Sequence, residues 1–151
     1  VAQDIPFQNR GAGFAKKPEL PNSPAPRKRP LHTLSILLAR HSSHADYLIG
    51  CAGGDLRPQI HSEVFTNVAD YDMHLSEAVE ALRYILTSWQ DRELKATVED
   101  GIWTHELPSW AEKIGFQLPM TGTVHAMKKR PDGVLEFAAD PRGGGIAASL
   151  L

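Results

Sequence analysis

The chain has 151 residues, 42% hydrophobic and 23% charged, and reads as a soluble globular chain with one modest core. A formal net charge of -2 gives no basis for a nucleic-acid binder, and no apolar run approaches the length that crosses a bilayer. The single cysteine, Cys51, excludes an internal disulfide and a cysteine-based zinc site, and no secretory signal follows Val1-Ala2-Gln3-Asp4.

Taken in order, Val1–Phe7 alternates as a strand already under way, so the chain is expected to be a fragment or a processed subunit. Two glycines break it in Gln8-Asn9-Arg10-Gly11-Ala12-Gly13-Phe14. Pro18, Pro21, Pro24, Pro26 and Pro30 then exclude helix and sheet interior and predict an extended ordered loop. Arg27, Lys28 and Arg29 lie inside it and read as a solvated basic loop, without the aromatics of a nucleic-acid surface. Leu34–Ala39 and Asp46–Gly50 predict a hairpin packed on both faces, because neither strand alternates cleanly.

Gly50-Cys51-Ala52-Gly53-Gly54-Asp55 follows, and then a helix from Pro58 to Tyr71 with Ile60, Val64, Phe65 and Val68 on one face. A second helix is expected over Leu75–Ser88, on the stripe Leu75, Val79, Leu82, Ile85 and Leu86. Lys95–Glu99 predicts a strand and Glu106–Ile114 a short helix ending at Gly115. Gly122–Lys129 and Val134–Ala138 predict a second hairpin around Arg130-Pro131-Asp132-Gly133. The order of elements predicts an α+β fold with mostly antiparallel pairing, in a single domain over 1–151.

Strand, paired glycines and helix in succession direct backbone N–H groups outward, so Gly53-Gly54 is a candidate anion or oxyanion site. The competing reading is a plain strand-to-helix turn whose glycines supply positive φ. His32 and Thr33, at the end of the proline loop, are candidates for orienting a substrate or for acid–base work, or His32 only satisfies loop carbonyls. Cys51 reads either as a thiol at a helix N-terminus or as a small core residue. His41, His44, His61 and His74 show no paired ligand spacing on one helix face, so no metal site is expected. Trp89, Trp103 and Trp110 read as packing residues. No complete nucleophile–base–oxyanion set emerges from the residues alone.

Five segments, in order, resemble the small-subunit half of the γ-glutamyltranspeptidase family. They are Gln8–Phe14; Pro26-Arg27-Lys28-Arg29-Pro30-Leu31-His32-Thr33; Gly53-Gly54-Asp55 with Pro58-Gln59; Met73-His74-Leu75-Ser76-Glu77-Ala78-Val79; and Ala139-Asp140-Pro141-Arg142-Gly143. The resemblance implies an Ntn-hydrolase αββα sandwich made by autocleavage of a precursor, with a large subunit as partner. It also implies a threonine nucleophile whose own α-amine is the base, and acyl transfer of a γ-glutamyl amide to water or an amino acid. Gly53 and Gly54 then form the oxyanion hole, and Asn9, Arg10, His32 and Thr33 contact substrate. In the family the threonine precedes the Asn-Arg-Gly segment by a few dozen residues, so it is expected outside this chain. The acidic residue with which glutathione-using members grip the substrate falls on Gly13, beside Ala12, so another amide or γ-glutamyl compound is the expected substrate. No cofactor, metal, nucleic acid or membrane is implied. The competing classes are a non-catalytic homologue serving as a structural or interaction subunit, and a thiol hydrolase using Cys51.

Overall fold

The computed structural model describes residues 9–88, 95–101, 111–114 and 121–148. The predicted strand Val1–Phe7, the three tryptophans and most of the predicted helix Glu106–Ile114 lie outside these residues. The chain divides into two compact units, one ending at Leu34 and the other starting at Ser35.

From residue 9 on, the first unit is an irregular loop, as the prolines require. A single 3-10 turn spans Arg10–Gly13, with the Ala12 N–H donating to the Asn9 carbonyl at 3.0 Å. Asn22 ties the loop to itself: its amide nitrogen donates to the Gly13 carbonyl at 2.5 Å, and its amide oxygen accepts from the Leu31 N–H at 3.1 Å. Lys28 Nζ donates to the Pro21 carbonyl. One member of the basic cluster is thereby committed to holding the loop's shape.

Among the described residues, the second unit holds two sheets and two helices. β1 (Ile36–Ala39), β2 (Asp46–Ala52), β6 (Thr123–Lys129) and β7 (Leu135–Ala139) form an antiparallel sheet in the order β1-β2-β6-β7. Both predicted hairpins are present, and the Pro131-Asp132-Gly133 turn places Gly133 at φ 87°. Register sets Leu37, Ile49, Ala126 and Ala138 in one cross-strand row. That row faces α1 (Arg57–Ala69), which buries Ile60, Val64 and Val68, and α2 (Leu75–Glu80), which buries Leu75, Ala78 and Val79. The opposite row is Leu38, Leu48, Met127 and Phe137. Leu38 is 60% exposed and Phe137 46%. The hairpin is therefore packed on one face here, not on both as its sequence pattern predicts.

The second sheet has the order β3-β4-β5. β4 (Lys95–Glu99) lies where predicted, but β3 (Tyr84–Ser88) replaces the second half of the predicted second helix. The helix stops at Ala81 (φ −50°, ψ 140°) because the carbonyls of Val79, Glu80 and Ala81 accept from buried arginine side chains. Tyr84-Ile85-Leu86-Thr87 then follows its β propensity, and Gln59 pairs with the Leu86 N–H (2.8 Å) and carbonyl (3.1 Å) as an added strand would. β5 (Ala111–Ile114) pairs parallel to β4, from Ala96↔Ala111 to Glu99↔Ile114, where a helix end is predicted; the ladder overrides local propensity.

A buried ionic cluster joins these elements. Arg83 Nη2 contacts Asp140 Oδ2 at 2.6 Å, and Arg142 bridges Asp140 Oδ1 (3.1 Å) and Glu99 Oε2 (2.5 Å). Burial opposes ionisation of Glu99 and Asp140. Hydrogen bonds from Arg142 to Glu99 and from Arg83 to Asp140 overcome it and hold both carboxyls below their usual range. The stability they contribute is present above the ordinary carboxylate pKa and is lost as pH falls through the depressed folded values. Asp140→Asn, which leaves buried guanidinium charge uncompensated, is expected to lower the unfolding free energy of the intact protein by about 3–5 kcal/mol. Urea titration at pH 7 measures that loss. Repeating it at about pH 3, below the ordinary aspartate value of 3.8, should give a smaller difference between variant and parent.

Candidate active site

β2 delivers the chain to the paired glycines. Cys51 and Ala52 end the strand, Gly53 follows at φ −167°, and Gly54 turns into the left-handed region at φ 53°. A 3-10 turn over Gly54–Leu56 leads directly into α1, with the Leu56 N–H closing on the Gly53 carbonyl at 3.0 Å. Among the described residues, no backbone carbonyl outside helices and strands accepts from the N–H of Gly53 or Gly54. Nothing lies within 4 Å of the position a Cβ would take at Gly54. The Cβ side of Gly54 is therefore open at the head of a helix, and the turn is the candidate anion or oxyanion site.

Gly53 is constrained from behind. A Cβ there would sit 2.5 Å from Ile60 Cδ1. Gly122, at φ 71°, packs against the same turn: its Cβ would come 2.5 Å from the Ala52 carbonyl oxygen, 2.7 Å from Ile60 Cδ1 and 3.3 Å from Gly53 Cα. Arg83 Nη1 donates to the carbonyls of Gly122 (3.1 Å) and Thr121 (3.3 Å). The backbone opposing Gly53 is thus anchored by the buried ionic cluster. Sequence reading gave Gly122 no role beyond opening a strand. Only register shows that β6 begins beside the end of β2.

Cys51 packs on the helix side of β2, its Sγ 3.3 Å from Nε2 of the buried His61. Burial raises the thiol pKa against the opposing pull of Arg57 and Arg83; burial and then Arg57 lower that of His61. Both groups are held neutral, the reverse of an activated thiolate–imidazolium pair. The core reading of Cys51 is the one this geometry favours.

Asn9, Arg10, His32 and Thr33 belong to the first unit. Asn9, Arg10 and His32 are exposed and Thr33 is half-buried. Gly13 lies against the Leu31 carbonyl, just where its own side chain would project, so the Arg10–Gly13 turn and the Leu31-His32-Thr33 segment are close neighbours. Gly53 and Gly54 stand in the second unit.

A second concavity, of about 510 Å³, opens between α1 and β3 and is lined by Gln59, Glu63, Asn67, Tyr71, Tyr84 and Leu86 among others. Glu63 Oε1 is buried there without a hydrogen-bond partner. Burial pushes the Glu63 carboxyl up to about 7, against the opposing effects of the Tyr84 N–H and Arg83. No periodicity singles this residue out.

A family model described as Gamma-glutamyltranspeptidase matches residues 3–150. The chain belongs to the γ-glutamyltranspeptidase family. It is 29% identical over 153 residues to the glutathione hydrolase-like YwrD proenzyme of Bacillus subtilis, covering 97% of this chain and 29% of that protein. It is also 29% identical over 151 residues to the oxamate amidohydrolase proenzyme of Klebsiella pneumoniae, covering 95% of this chain and 29% of that protein. The chain thus spans less than a third of the length of these relatives. Among solved structures, γ-glutamyltranspeptidase from Pseudomonas nitroreducens complexed with L-DON superposes with a TM-score of 0.76 at 21% identity, over 100% of this chain and 86% of that one. The expected α+β, Ntn-hydrolase fold is borne out.

Two measurements test the geometry. Gly122→Ala, which places a methyl against Ala52, Ile60 and Gly53 at positive φ, is expected to destabilise the intact protein by about 1–3 kcal/mol, read as a lower urea midpoint. Folded Glu63 keeps its proton to about pH 7, well above the ordinary glutamate value of 4.5. Folded protein therefore binds more protons across that window, and stability falls as pH rises through it. In Glu63→Gln, unfolding midpoints at pH 5 and pH 8 should differ less than in the parent.

Proposed function

We propose that this chain is the C-terminal portion of the small subunit of an Ntn amidohydrolase acting on a γ-glutamyl or related small amide. The observation that supports the reading is the Gly53-Gly54 turn at the end of β2, where among the described residues no loop carbonyl accepts from either N–H and the Cβ side of Gly54 is open. The nucleophile is a threonine outside residues 1–151. Its hydroxyl oxygen attacks the amide carbonyl carbon while its own α-amine takes the proton. The carbonyl oxygen becomes an oxyanion that accepts from Gly53 and Gly54 N–H. Collapse breaks the C–N bond, the ammonium proton passes to the leaving amine, and water or an amino acid then removes the acyl group.

Asn9, Arg10, His32 and Thr33 are the proposed substrate contacts of the first unit. An acidic side chain at position 13 has no room, because the Leu31 carbonyl occupies its path. This supports a small amide over glutathione as the preferred acyl donor. The open row Leu38, Leu48, Met127 and Phe137 supports a large-subunit layer as the partner that covers the sheet.

The test uses the processed protein with both subunits. Gly53→Val and Gly54→Val are expected to lower kcat about 10²–10³-fold, the cost of one lost oxyanion donor. Cys51→Ala should leave turnover within about twofold, since its thiol is held neutral. Near-normal kcat in both glycine variants would sink the oxyanion assignment, and loss of activity in Cys51→Ala with an unchanged urea midpoint would revive the thiol mechanism. Glutathione, oxamate and a γ-glutamyl anilide compared as donors identify the substrate class.

A further inference from the structure

The turn joining β1 to β2 reads His41-Ser42-Ser43-His44, and it folds so that three Lewis-basic atoms converge. His44 Nδ1 lies 2.7 Å from His41 Nδ1. Ser43 Oγ lies 3.2 Å from the first histidine's Nδ1 and 3.1 Å from the second's. The two rings meet edge to face with centroids 4.3 Å apart. The Ser43 N–H donates to His41 Nδ1 at 3.3 Å. His41 Nδ1 is therefore an acceptor, and His44 Nδ1 carries the proton of the 2.7 Å contact; an ion bound at both Nδ1 atoms replaces these hydrogen bonds and moves that proton to Nε2.

A hydrogen bond between two imidazoles needs two atoms. Here a third, the Ser43 hydroxyl, stands almost equally far from both. A tetrahedral zinc ion, about 2.0–2.1 Å from each nitrogen ligand, holds its ligand atoms roughly 3.3 Å apart. Two edges of the triangle are within about 0.2 Å of that separation, and the third reaches it if the exposed rings part by about 0.6 Å. An ion just above the plane of the three atoms would meet all of them at bonding distance.

The surroundings suit an ion. The turn borders a cavity of about 600 Å³ to which Asp72 also contributes. The two cations of that cavity are engaged elsewhere: Arg40 Nε pairs with Asp46 at 3.7 Å, and Lys128 Nζ stands 5.8 Å from the Tyr47 ring centroid. Among the described residues, no three histidine, cysteine, aspartate or glutamate side chains converge. The ligand set is therefore two imidazoles and one hydroxyl, with water completing the shell. Such a nitrogen–oxygen set without thiolate suits Zn²⁺, Ni²⁺ and Cu²⁺ and disfavours Cu⁺.

We propose that His41, Ser43 and His44 form a surface site for one divalent transition-metal ion, clamping the β1–β2 connection. Helical spacing could not reveal it, because the ligands lie on a turn. The test titrates intact, untagged protein with Zn²⁺ by calorimetry and with Co²⁺ by visible absorption. One ion per chain is expected. His41→Ala and His44→Ala should each weaken binding by at least about tenfold, and Ser43→Ala by a few fold. All three residues are exposed, so circular dichroism should match the parent. Absence of binding, or binding that persists undiminished in the His41→Ala/His44→Ala double variant, overturns the proposal; the imidazoles then only satisfy each other.

Discussion

Four buried charges at the junction of both sheets and α2 hold this molecule together. Arg83 and Arg142 face Glu99 and Asp140, and each of the four is 3% exposed or less. A buried pair repays its desolvation only when its remaining donors and acceptors are satisfied. Most are here: the guanidinium groups also take the carbonyls of Val79, Ala81 and Gly122, and Asp140 accepts from the Val124 N–H. The cluster therefore does what side-chain packing alone could not. It ends a helix, starts a strand and fixes the backbone opposite the paired glycines with the same few atoms.

That dual use explains which parts of the fold were legible. Hairpins with a turn motif and helices with a clean apolar stripe, such as Ile60-Val64-Val68, announce themselves locally. The end of α2 does not. Its stripe continues through Leu82 and Ile85 in sequence, and only the arginine side chains, reaching back to carbonyls the ladder would have used, turn the chain into β3. β5 is likewise specified by its partner: Ala111–Ile114 has helical character of its own and becomes a strand because β4 offers a parallel ladder. Paired glycines after a strand were readable as a turn, and the family motifs gave that turn a chemical role. Gly122 and Glu63 were not readable, because each owes its environment to residues distant in sequence.

The shape of the Gly53-Gly54 turn depends on steric exclusion more than on any one bond. Gly54 takes positive φ, and nothing stands on its Cβ side. Gly53 is held by the opposite circumstance, with Ile60 and Gly122 filling the space behind. In the proposed oxyanion role, a turn packed behind has completed its reorganisation at folding, which is the condition for a pre-organised donor.

The exposed row on the outer side of the first sheet bears on how such a chain is best made. An apolar β surface left uncovered, beside an edge of β1 that no strand among the described residues pairs with, invites association with any similar surface it meets. If the covering layer is delivered on the same polypeptide, it arrives at an effective concentration in the millimolar range, far above that of any competing chain. Synthesis as one precursor, cut only after the layers have met, then acts as an internal chaperone: covalent connection lasts through the interval in which the sheet is most prone to aggregate, and becomes dispensable once that face is buried.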